Sequence, residues 1–356
     1  MNVDKIAILP GDGIGPEVTR EAVKILQTLS EIDSTFQMET KEFNWNSDYY
    51  LEHGRMMPED GLDQLKDFDA ILFGAIGDYR VPDSVTIWNL ILPIRKHFQQ
   101  YVNFRPVKLL RGMESPLKQD NPIDFVIIRE NSEGEYTDSG GNMFHGETRE
   151  MAIQNTVMTR QGITQIAEFA YQYAREHGLT KVTNATKSNV VVHAMSFWDR
   201  MVEEIADKNK DIAYEKYYID ALAAYFVQRP KSFEVVLASN LFGDILSDLG
   251  SAIVGGLGLA PSGNINPSGE FPSMFEAVHG SAPDIAGKGI ANPMAQIWSA
   301  ALMLEHLGRR DLHDAVLTAM EEVLEEKKVL TPDIGGTAST VEIGDVIAGK
   351  LKKIMG

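Results

Sequence analysis

Two aspartates four residues apart, Asp244 and Asp248, are the residues whose types and spacing most directly suggest chemistry. They lie in the stretch 238–250, ASNLFGDILSDLG, where an apolar run gives way to apolar residues at helical spacing and Asn240 is placed to cap the helix. Both carboxylates then share one helix face and repel each other unless a cation lies between them. Mg²⁺ and Mn²⁺ prefer such hard oxygen ligands. Solvated acids on an ordinary helix give the same spacing, so the rest of the chain must decide between the two interpretations.

The composition limits the classes of function. Acidic residues outnumber basic ones by 51 to 33 in 356 residues, which gives a formal net charge of −18. Such a charge disfavours nucleic acids and anionic membrane surfaces as partners. The absence of cysteine excludes disulfides, cysteine nucleophiles and Cys-based metal sites. No apolar run reaches membrane-spanning length and no signal peptide is evident, so a cytoplasmic protein of two domains is expected.

The first hundred residues alternate strand and helix patterns, which predicts an α/β fold with parallel strands. An apolar strand at 5–9 runs into a glycine-rich turn at 10–17, PGDGIGPE, and then into a helix. A dinucleotide-binding G-x-G-x-x-G turn would need glycine where Pro16 stands, so the usual fingerprint fails. The turn can serve a ligand or only the chain reversal.

Three arginines, Arg95, Arg105 and Arg129, each lie at the edge of an apolar element. Guanidinium groups bind carboxylates with paired hydrogen bonds, so the three together could bind an acidic substrate. Each one alone could equally form an ordinary exposed ion pair. Lys187, in a Thr/Ser/Asn setting, is a further candidate, and so is the small-residue segment 279–288, HGSAPDIAGK, because exposed backbone N–H groups can bind phosphate.

Eight motifs, in this order and at this spacing, resemble those of the β-decarboxylating dehydrogenases, the family of the isocitrate, isopropylmalate, homoisocitrate, tartrate and D-malate enzymes. The resemblance runs almost from end to end, and it favours functional roles for the aspartates and arginines. The motifs are PGDGIGPE at 10–17, LPIRK at 92–96, NFRP at 103–106, RENSEGEY at 129–136, TKSN at 186–189, ID at 219–220, NLFGDILSD at 240–248 and HGSAPDIAGKGIANP at 279–293.

The resemblance implies an open-sheet α/β fold of two domains that is distinct from the Rossmann fold. A discontinuous NAD-binding domain would comprise residues 1–100 plus 250–356, and a domain for substrate, metal and dimerisation would comprise residues 101–249. The active site would lie between them. The resemblance also implies a homodimer in which Lys187 and Asp220 of one subunit reach the active site of the other.

The resemblance further implies the role of each site residue. Asp244 and Asp248, with Asp220 of the second subunit, would bind Mg²⁺ or Mn²⁺. Among the catalytic residues Tyr136, Lys187 and Asp220, the lysine would accept the substrate's hydroxyl proton and the tyrosine would return a proton to carbon. The anchors for substrate carboxylates would be Arg95, Arg105 and Arg129. The cofactor would be bound by His279, Gly280, Ser281, Ala282, Asp284, Ile285 and Asn292.

Asp284 favours NAD over NADP as the cofactor. A carboxylate accepts hydrogen bonds from ribose hydroxyls and would repel a 2′-phosphate. In NADP-using relatives a Lys-Tyr pair takes the place of Asp284 and Ile285. A monovalent cation such as K⁺ is a further candidate cofactor.

The segment after Arg129 distinguishes the substrates of this family. RENSEGEY, followed by two glycines at 140–141, resembles the tartrate and D-malate enzymes. These glycines and the polar stretch that follows them to Glu150 are expected to form a turn between hairpin strands. Isopropylmalate enzymes tend to read RELTGGIY, and isocitrate enzymes RENTEDxY. The apolar run at 90–92, LIL, points the other way, since an isopropyl group would need such a pocket. Oxidative decarboxylation of D-malate or tartrate is therefore the first hypothesis, with 3-isopropylmalate second and isocitrate or homoisocitrate last.

Two unrelated classes of function fit less well. A regulatory or structural relative would be expected to have lost Tyr136, Lys187, Asp244 or Asp248, and all four are present. A P-loop enzyme would need the sequence G-x-x-x-x-G-K-[ST], which the chain does not contain.

Overall fold

The computed structural model describes residues 3–118 and 122–356. Its strands, in chain order, are β1 (Asp4–Gly11), β2 (Met38–Glu42), β3 (Ala70–Ala75), β4 (Val102–Lys108), β5 (Asp124–Glu130), β6 (Gly140–Met143), β7 (Met151–Gln154), β8 (Lys181–Thr186), β9 (Ala213–Tyr218), β10 (Val235–Ala238), β11 (Pro261–Ile265) and β12 (Ser273–Ala277). Its α-helices are α1 (Gly15–Ile32), α2 (Ser47–His53), α3 (Gly61–Leu65), α4 (Asp83–Thr86), α5 (Leu92–His97), α6 (Arg160–Glu176), α7 (Val192–Ala206), α8 (Ile219–Gln228), α9 (Asn240–Ile253), α10 (Met294–His306), α11 (Arg310–Glu326) and α12 (Thr340–Met355). Within the described ranges, no helix has the length and apolar character needed to span a membrane.

The chain divides into two compact units, of which the first is formed by Met1–Gln100, Lys108–Asp120 and Ser251–Gly356. Its strands follow the order β2-β1-β3-β12-β11, and all neighbours are parallel except β11, which is antiparallel to β12. Helices α1 and α10 contact these strands, and α11 and α12 pack against α1 and α10. Helix α10 is buried along almost its whole length, as its apolar sequence requires.

The second unit is formed by Tyr101–Val107 and Asn121–Gly250, with the strand order β4-β5-β10-β8-β9. Strands β5, β10, β8 and β9 are parallel to one another and are covered by α6 and α7. Parallel strands end at one edge, so Arg129 in β5, Lys187 after β8 and Asn240 after β10 fall along the same edge. Helices on largely parallel strands in both units confirm the predicted α/β class.

Strands β6 and β7 form a separate antiparallel hairpin. The sequence predicted a hairpin whose turn spans the two glycines and the polar stretch to Glu150, and the hairpin is confirmed, with its reversal between Met143 and Met151. The two glycines themselves lie inside β6 and not in the turn. Gly140 fits there because a Cβ atom would lie 2.1 Å from the carbonyl oxygen of Ile153. The hairpin exposes several large apolar side chains, Met143, Phe144, Met151 and Ile153.

The segment before Arg95 is not one regular helix. A π-helical turn at Ile87–Ile91 separates α4 from α5. This turn directs Leu90 into the core of the first unit, where it is fully buried, and Leu92 is also buried. Leu90 and Leu92 are therefore buried within the chain itself, whereas Ile91 is only partly buried.

Candidate active site

Arg129 is the centre of the site in the second unit. It is 1% exposed, and its side chain crosses the first turn of α9. Its Nε and Nη2 donate to Oδ1 of Asn240 at 3.2 and 2.7 Å, and its Nη1 donates to Oδ1 of Asp244 at 2.6 Å. Pairing with a carboxylate is what allows a guanidinium to be buried. Asn240, predicted as a helix cap, thus uses its amide oxygen to hold the arginine.

Gly243 makes room for this arginine. A Cβ atom at position 243 would lie 2.5 Å from Cγ and 2.6 Å from Cβ of Arg129, well inside contact distance. The aliphatic part of Arg129 therefore lies directly on the backbone of α9. Only a glycine lets the guanidinium reach the acid one residue further along the helix.

Asp244 also contacts two further predicted site residues of this unit, Tyr136 and Arg105. Its Oδ2 accepts a hydrogen bond from the hydroxyl of Tyr136 at 2.9 Å, and its Oδ1 lies 3.4 Å from Nη1 of Arg105. Arg105, on β4, also donates to Oγ of Ser247 at 2.5 Å. Desolvation, reinforced by the Asp244 carboxylate, raises the pKa of Tyr136, so this hydroxyl keeps its proton. Two arginines and a protonated tyrosine thus converge on one carboxylate.

Lys187 and Asp220 form a second group in the same unit. The lysine Nζ donates to Oδ1 of Asp220 at 2.6 Å and lies 5.7 Å from the centre of the Tyr218 ring. This hydrogen bond lowers the pKa of the Asp220 carboxyl. Asp220 stands in the first turn of α8, where a negative charge is favourable. The lysine is therefore held by one of the predicted metal ligands.

Arg95 lies in the first unit, in the last turn of α5. Its Nη2 donates to Oε1 of Glu276 at 2.7 Å, and the same oxygen accepts from Nδ2 of Asn264 at 2.7 Å. The side chains of Arg95 and Glu276 are 11% and 10% exposed. Like Arg105 and Arg129, Arg95 is a largely buried arginine that holds a carboxylate.

The glycine-rich turn at 10–17 supports the loop that follows β12. Asp12 accepts hydrogen bonds from the backbone N–H and hydroxyl of Ser47 at 2.9 and 2.6 Å and from the N–H of Gly77 at 3.0 Å. The N–H of Ile14 donates to the carbonyl of Ser281 at 2.8 Å. A Cβ atom on Gly13 would lie 2.0 Å from that same carbonyl oxygen. The turn therefore has a structural role in holding the predicted cofactor loop.

The predicted cofactor loop presents one unsatisfied polar atom. Nε2 of His279 is buried and has no hydrogen-bond partner in the described part of the chain, and burial lowers the pKa of its imidazole. Asn292 donates to Oδ2 of Asp333 at 3.0 Å and accepts from the N–H of Met294 at 3.0 Å. Asp284 is exposed. An unpaired imidazole nitrogen and an exposed acid on one loop fit a nucleoside ligand.

The other four residues predicted to bind the cofactor differ in their surroundings. Ser281 is buried, and Ile285 packs with Ala282 against the apolar cluster around Val18. Ala282 has a φ of +40°, a conformation that costs free energy in a residue other than glycine. Gly280 is exposed, with no atom near its missing Cβ.

Residues 5–347 match the isocitrate/isopropylmalate dehydrogenase family. The chain belongs to this family. It is 49% identical over 351 residues to a probable tartrate dehydrogenase/decarboxylase of Bacillus subtilis (strain 168), with 98% of each chain covered. It is 47% identical over 356 residues to the D-malate dehydrogenase [decarboxylating] of Escherichia coli (strain K12), again with 98% of each covered. The crystal structure of isocitrate dehydrogenase from Methylococcus capsulatus matches with a TM-score of 0.90 at 32% identity, covering 98% of this chain and 100% of that one.

These likenesses confirm the family resemblance and the fold that eight motifs predicted from the sequence. The chain is accordingly an oxidoreductase, and family membership implies a nicotinamide cofactor and a divalent metal ion.

The acids of α9 fit a divalent cation in donor type and spacing. Partial desolvation and then the neighbouring Asp244 carboxylate raise the pKa of Asp248, so the two acids disfavour each other's charge. A cation bound to both would remove this repulsion. No cluster of three or more His, Cys, Asp or Glu side chains in the described ranges could hold a metal, so Asp220 does not complete the set within one chain. Further ligands must come from substrate, water or a second copy.

Replacing Gly243 with alanine is expected to lower the free energy of unfolding by about 1–3 kcal/mol, because the new methyl group collides with Arg129. The displaced guanidinium should also raise KM for the dicarboxylate substrate. Urea unfolding and steady-state kinetics measure the two effects.

Gly349 provides the matched control, since it lies inside α12 with no atom within 4 Å of its missing Cβ. There the same replacement should be stabilising, by up to about 1 kcal/mol, through helix propensity alone. Equal effects at the two positions would contradict the close approach of Arg129.

Sequence reasoning did not assign the residues that support this site. Gly243 was noticed only as part of a motif and Asn240 only as a helix cap, although a glycine inside a helix pattern is itself a signal of close packing. Glu276, which binds Arg95, was not singled out, and neither was Glu135, which accepts hydrogen bonds from residues 239 and 241 at the start of α9. In both cases the partners are distant in the chain. Asp333 was also missed, although two glycines follow it at 335–336.

Proposed function

We propose that this dehydrogenase catalyses the NAD-dependent oxidative decarboxylation of D-malate, tartrate or both, with Mg²⁺ or Mn²⁺. One observation carries the proposal: Arg105, Arg129 and Tyr136 all converge on Asp244. The curated relatives named for tartrate and D-malate support this choice of substrate. Leu90 packs in the core of the first unit, which weakens the argument for 3-isopropylmalate from the apolar run at 90–92.

The arginines would bind the carboxylates of the substrate. Asp244 now occupies the position of an anionic partner for Arg105 and Arg129, and Glu276 does the same for Arg95. A dicarboxylate offers the same planar oxygen pairs, so it can replace these internal acids. Its binding would leave Asp244 free to act, with Asp248 and with Asp220 of a second copy, as a ligand of the divalent cation.

Two side chains would move the protons of the reaction. When bound, the nicotinamide accepts a hydride and the divalent cation lowers the pKa of the substrate hydroxyl. Lys187 would take the hydroxyl proton as the 2-hydroxy acid becomes a 2-oxo acid. After CO₂ leaves, Tyr136 would deliver a proton to the carbon that carried it, which its raised pKa and retained proton suit it to do.

The cofactor would be NAD, bound by residues 279–292. The free Nε2 of His279 and the amide of Asn292 would face the adenine, and the exposed Asp284 would accept hydrogen bonds from the ribose. A 2′-phosphate would be repelled by Asp284. The backbone of Gly280, Ser281, Ala282 and Ile285 would complete the loop.

The working form would be a homodimer. Large apolar side chains are exposed next to Lys187, with Val190 at 67% and Val192 at 55% exposure, and on the hairpin β6–β7. Such patches mark interaction surfaces. A second copy at this surface would bring the Lys187–Asp220 pair to Asp244 and Asp248, which no third acid joins within the described part of one chain.

The test compares kcat/KM for D-malate, L-tartrate and 3-isopropylmalate with Mn²⁺, each with NAD⁺ and with NADP⁺. We expect D-malate or L-tartrate to exceed 3-isopropylmalate by at least about tenfold, since pocket shape alone discriminates by that much, and NAD⁺ to be preferred. Release of CO₂ should match NADH formation with D-malate. A higher kcat/KM for 3-isopropylmalate would show that the proposed substrate is wrong. Formation of NADH without release of CO₂ would show that the enzyme oxidises the substrate but does not decarboxylate it.

A further inference from the structure

The loop 131–136 contains the EGEY sequence that resembles the tartrate and D-malate enzymes, and two of its glutamates bind the starts of two different helices. Glu133 accepts hydrogen bonds from the N–H and Oγ1 of Thr159, at 2.7 and 2.8 Å, just before α6. Glu135 accepts from the N–H of Leu241 and from Oγ of Ser239, both at 3.1 Å, at the start of α9. Both glutamates therefore have local partners in the fold.

Glu135 supplies a charge that α9 lacks. The first N–H groups of a helix have no partner within it, and the positive end of its dipole favours an anion there. Helix α9 has no acidic residue in its own first turn, and the amide oxygen of Asn240 is used by Arg129. The carboxylate of Glu135 thus binds the helix start from a distant part of the chain.

The same contact fixes two functional side chains relative to each other. Tyr136 follows Glu135 directly, and its hydroxyl reaches Asp244 one turn beyond Leu241. The amide of Asn240 also donates to the backbone carbonyl of Glu133 at 3.1 Å. The loop is therefore bound to the first turn of α9 at its middle and to the second turn at its end.

We propose that Glu135 is a positioning residue that fixes the position of Tyr136 relative to the metal-binding end of α9. This inference rests on the proposed roles of Tyr136 and Asp244. It gives the EGEY sequence a structural function: the glutamate before the tyrosine binds the start of α9, the helix that carries Asp244 and Asp248. Isopropylmalate-type sequences, with isoleucine at this position, lack that carboxylate.

The experiment compares Glu135→Gln and Glu135→Ile with Glu133→Gln, a matched change in the same loop whose carboxylate binds next to α6 instead. Three quantities are measured: Mn²⁺ affinity by calorimetry without substrate, kcat and KM for D-malate, and hydrogen exchange of the peptide that contains Leu241. We expect weaker Mn²⁺ binding, faster exchange at the start of α9 and a fall in kcat of about 10- to 100-fold for Glu135→Ile, as small misplacements cause. Glu133→Gln should change Mn²⁺ affinity and exchange at the start of α9 by no more than about twofold, because its carboxylate binds Thr159 beside α6 and makes its contacts away from α9.

The outcomes separate this inference from the proposed function. Glu135→Ile with Mn²⁺ affinity and exchange equal to those of Glu133→Gln would overturn the positioning role. If Glu135→Ile binds Mn²⁺ more weakly but the wild-type protein oxidises none of the tested acids, the positioning role stands and the proposed function is wrong. If Glu135→Ile does not fold by circular dichroism, Glu135→Gln, which keeps the side-chain shape, gives the same comparison.

Discussion

Asp244→Asn is expected to abolish Mn²⁺-dependent turnover and to make the protein less stable, whereas Asp248→Asn should abolish turnover and make it slightly more stable. Removing a direct ligand should weaken Mn²⁺ binding by roughly 100-fold or more, since even supporting groups are worth that much. The stability effects differ because the surroundings differ. Asp244 is the counter-ion of the buried Arg129, and a buried charge without its partner is costly, here about 1–3 kcal/mol.

Asp248 has the opposite environment. Desolvation and the neighbouring carboxylate raise its pKa, which means that its charged form is disfavoured in the folded chain. Taking that charge away should therefore raise the melting temperature measured in EDTA. Both variants should bind NAD⁺ normally, because the predicted cofactor loop belongs to the first unit. Full turnover of the wild-type protein in excess chelator, or equal stability effects of the two variants, would contradict these roles.

The sequence alone predicted which side chains could do the chemistry, but it did not predict the contacts that hold them in place. Asp244 and Asp248 are close because they are four apart on a helix, and spacing alone gives this. The contact between Arg129 and Asp244 depends on β5 lying beside β10 and on a glycine where the arginine crosses the helix. Spacing does not contain that information, because it arises from pairing between distant segments.

Two local patterns have contacts that their residue types alone do not indicate. Asn240 has the residue type of a helix cap, but a buried guanidinium competes for its amide oxygen, and a charged donor forms the stronger hydrogen bond. The run at 90–92 has the composition of an apolar pocket, but the π-turn before α5 changes which side chains face inward. In both cases tertiary contacts override a local preference.

Lys187→Ala is expected to lower kcat for oxidation of D-malate by about 100- to 10,000-fold, the usual contribution of a positioned proton acceptor. Affinity for NAD⁺ should stay unchanged. Decarboxylation of added oxaloacetate should persist, because that step starts from the ketone and needs no hydroxyl proton removed. Tyr136→Phe, by contrast, should slow the conversion of added oxaloacetate to CO₂ and the ketone product. If both variants lost D-malate oxidation and oxaloacetate decarboxylation to the same extent, this division of roles would be contradicted.

Mixing these two variants tests whether the sites are shared between subunits. Lys187 pairs with Asp220, and within one chain no third acid joins Asp244 and Asp248 among the described residues. In a shared dimer of Lys187→Ala with Tyr136→Phe, one site receives an intact tyrosine from its own chain and an intact lysine from the other. Random exchange of subunits should then restore about a quarter of wild-type activity, from one intact site in half of the dimers. If each chain used its own lysine, both sites of the mixed dimer would be defective and no activity would return.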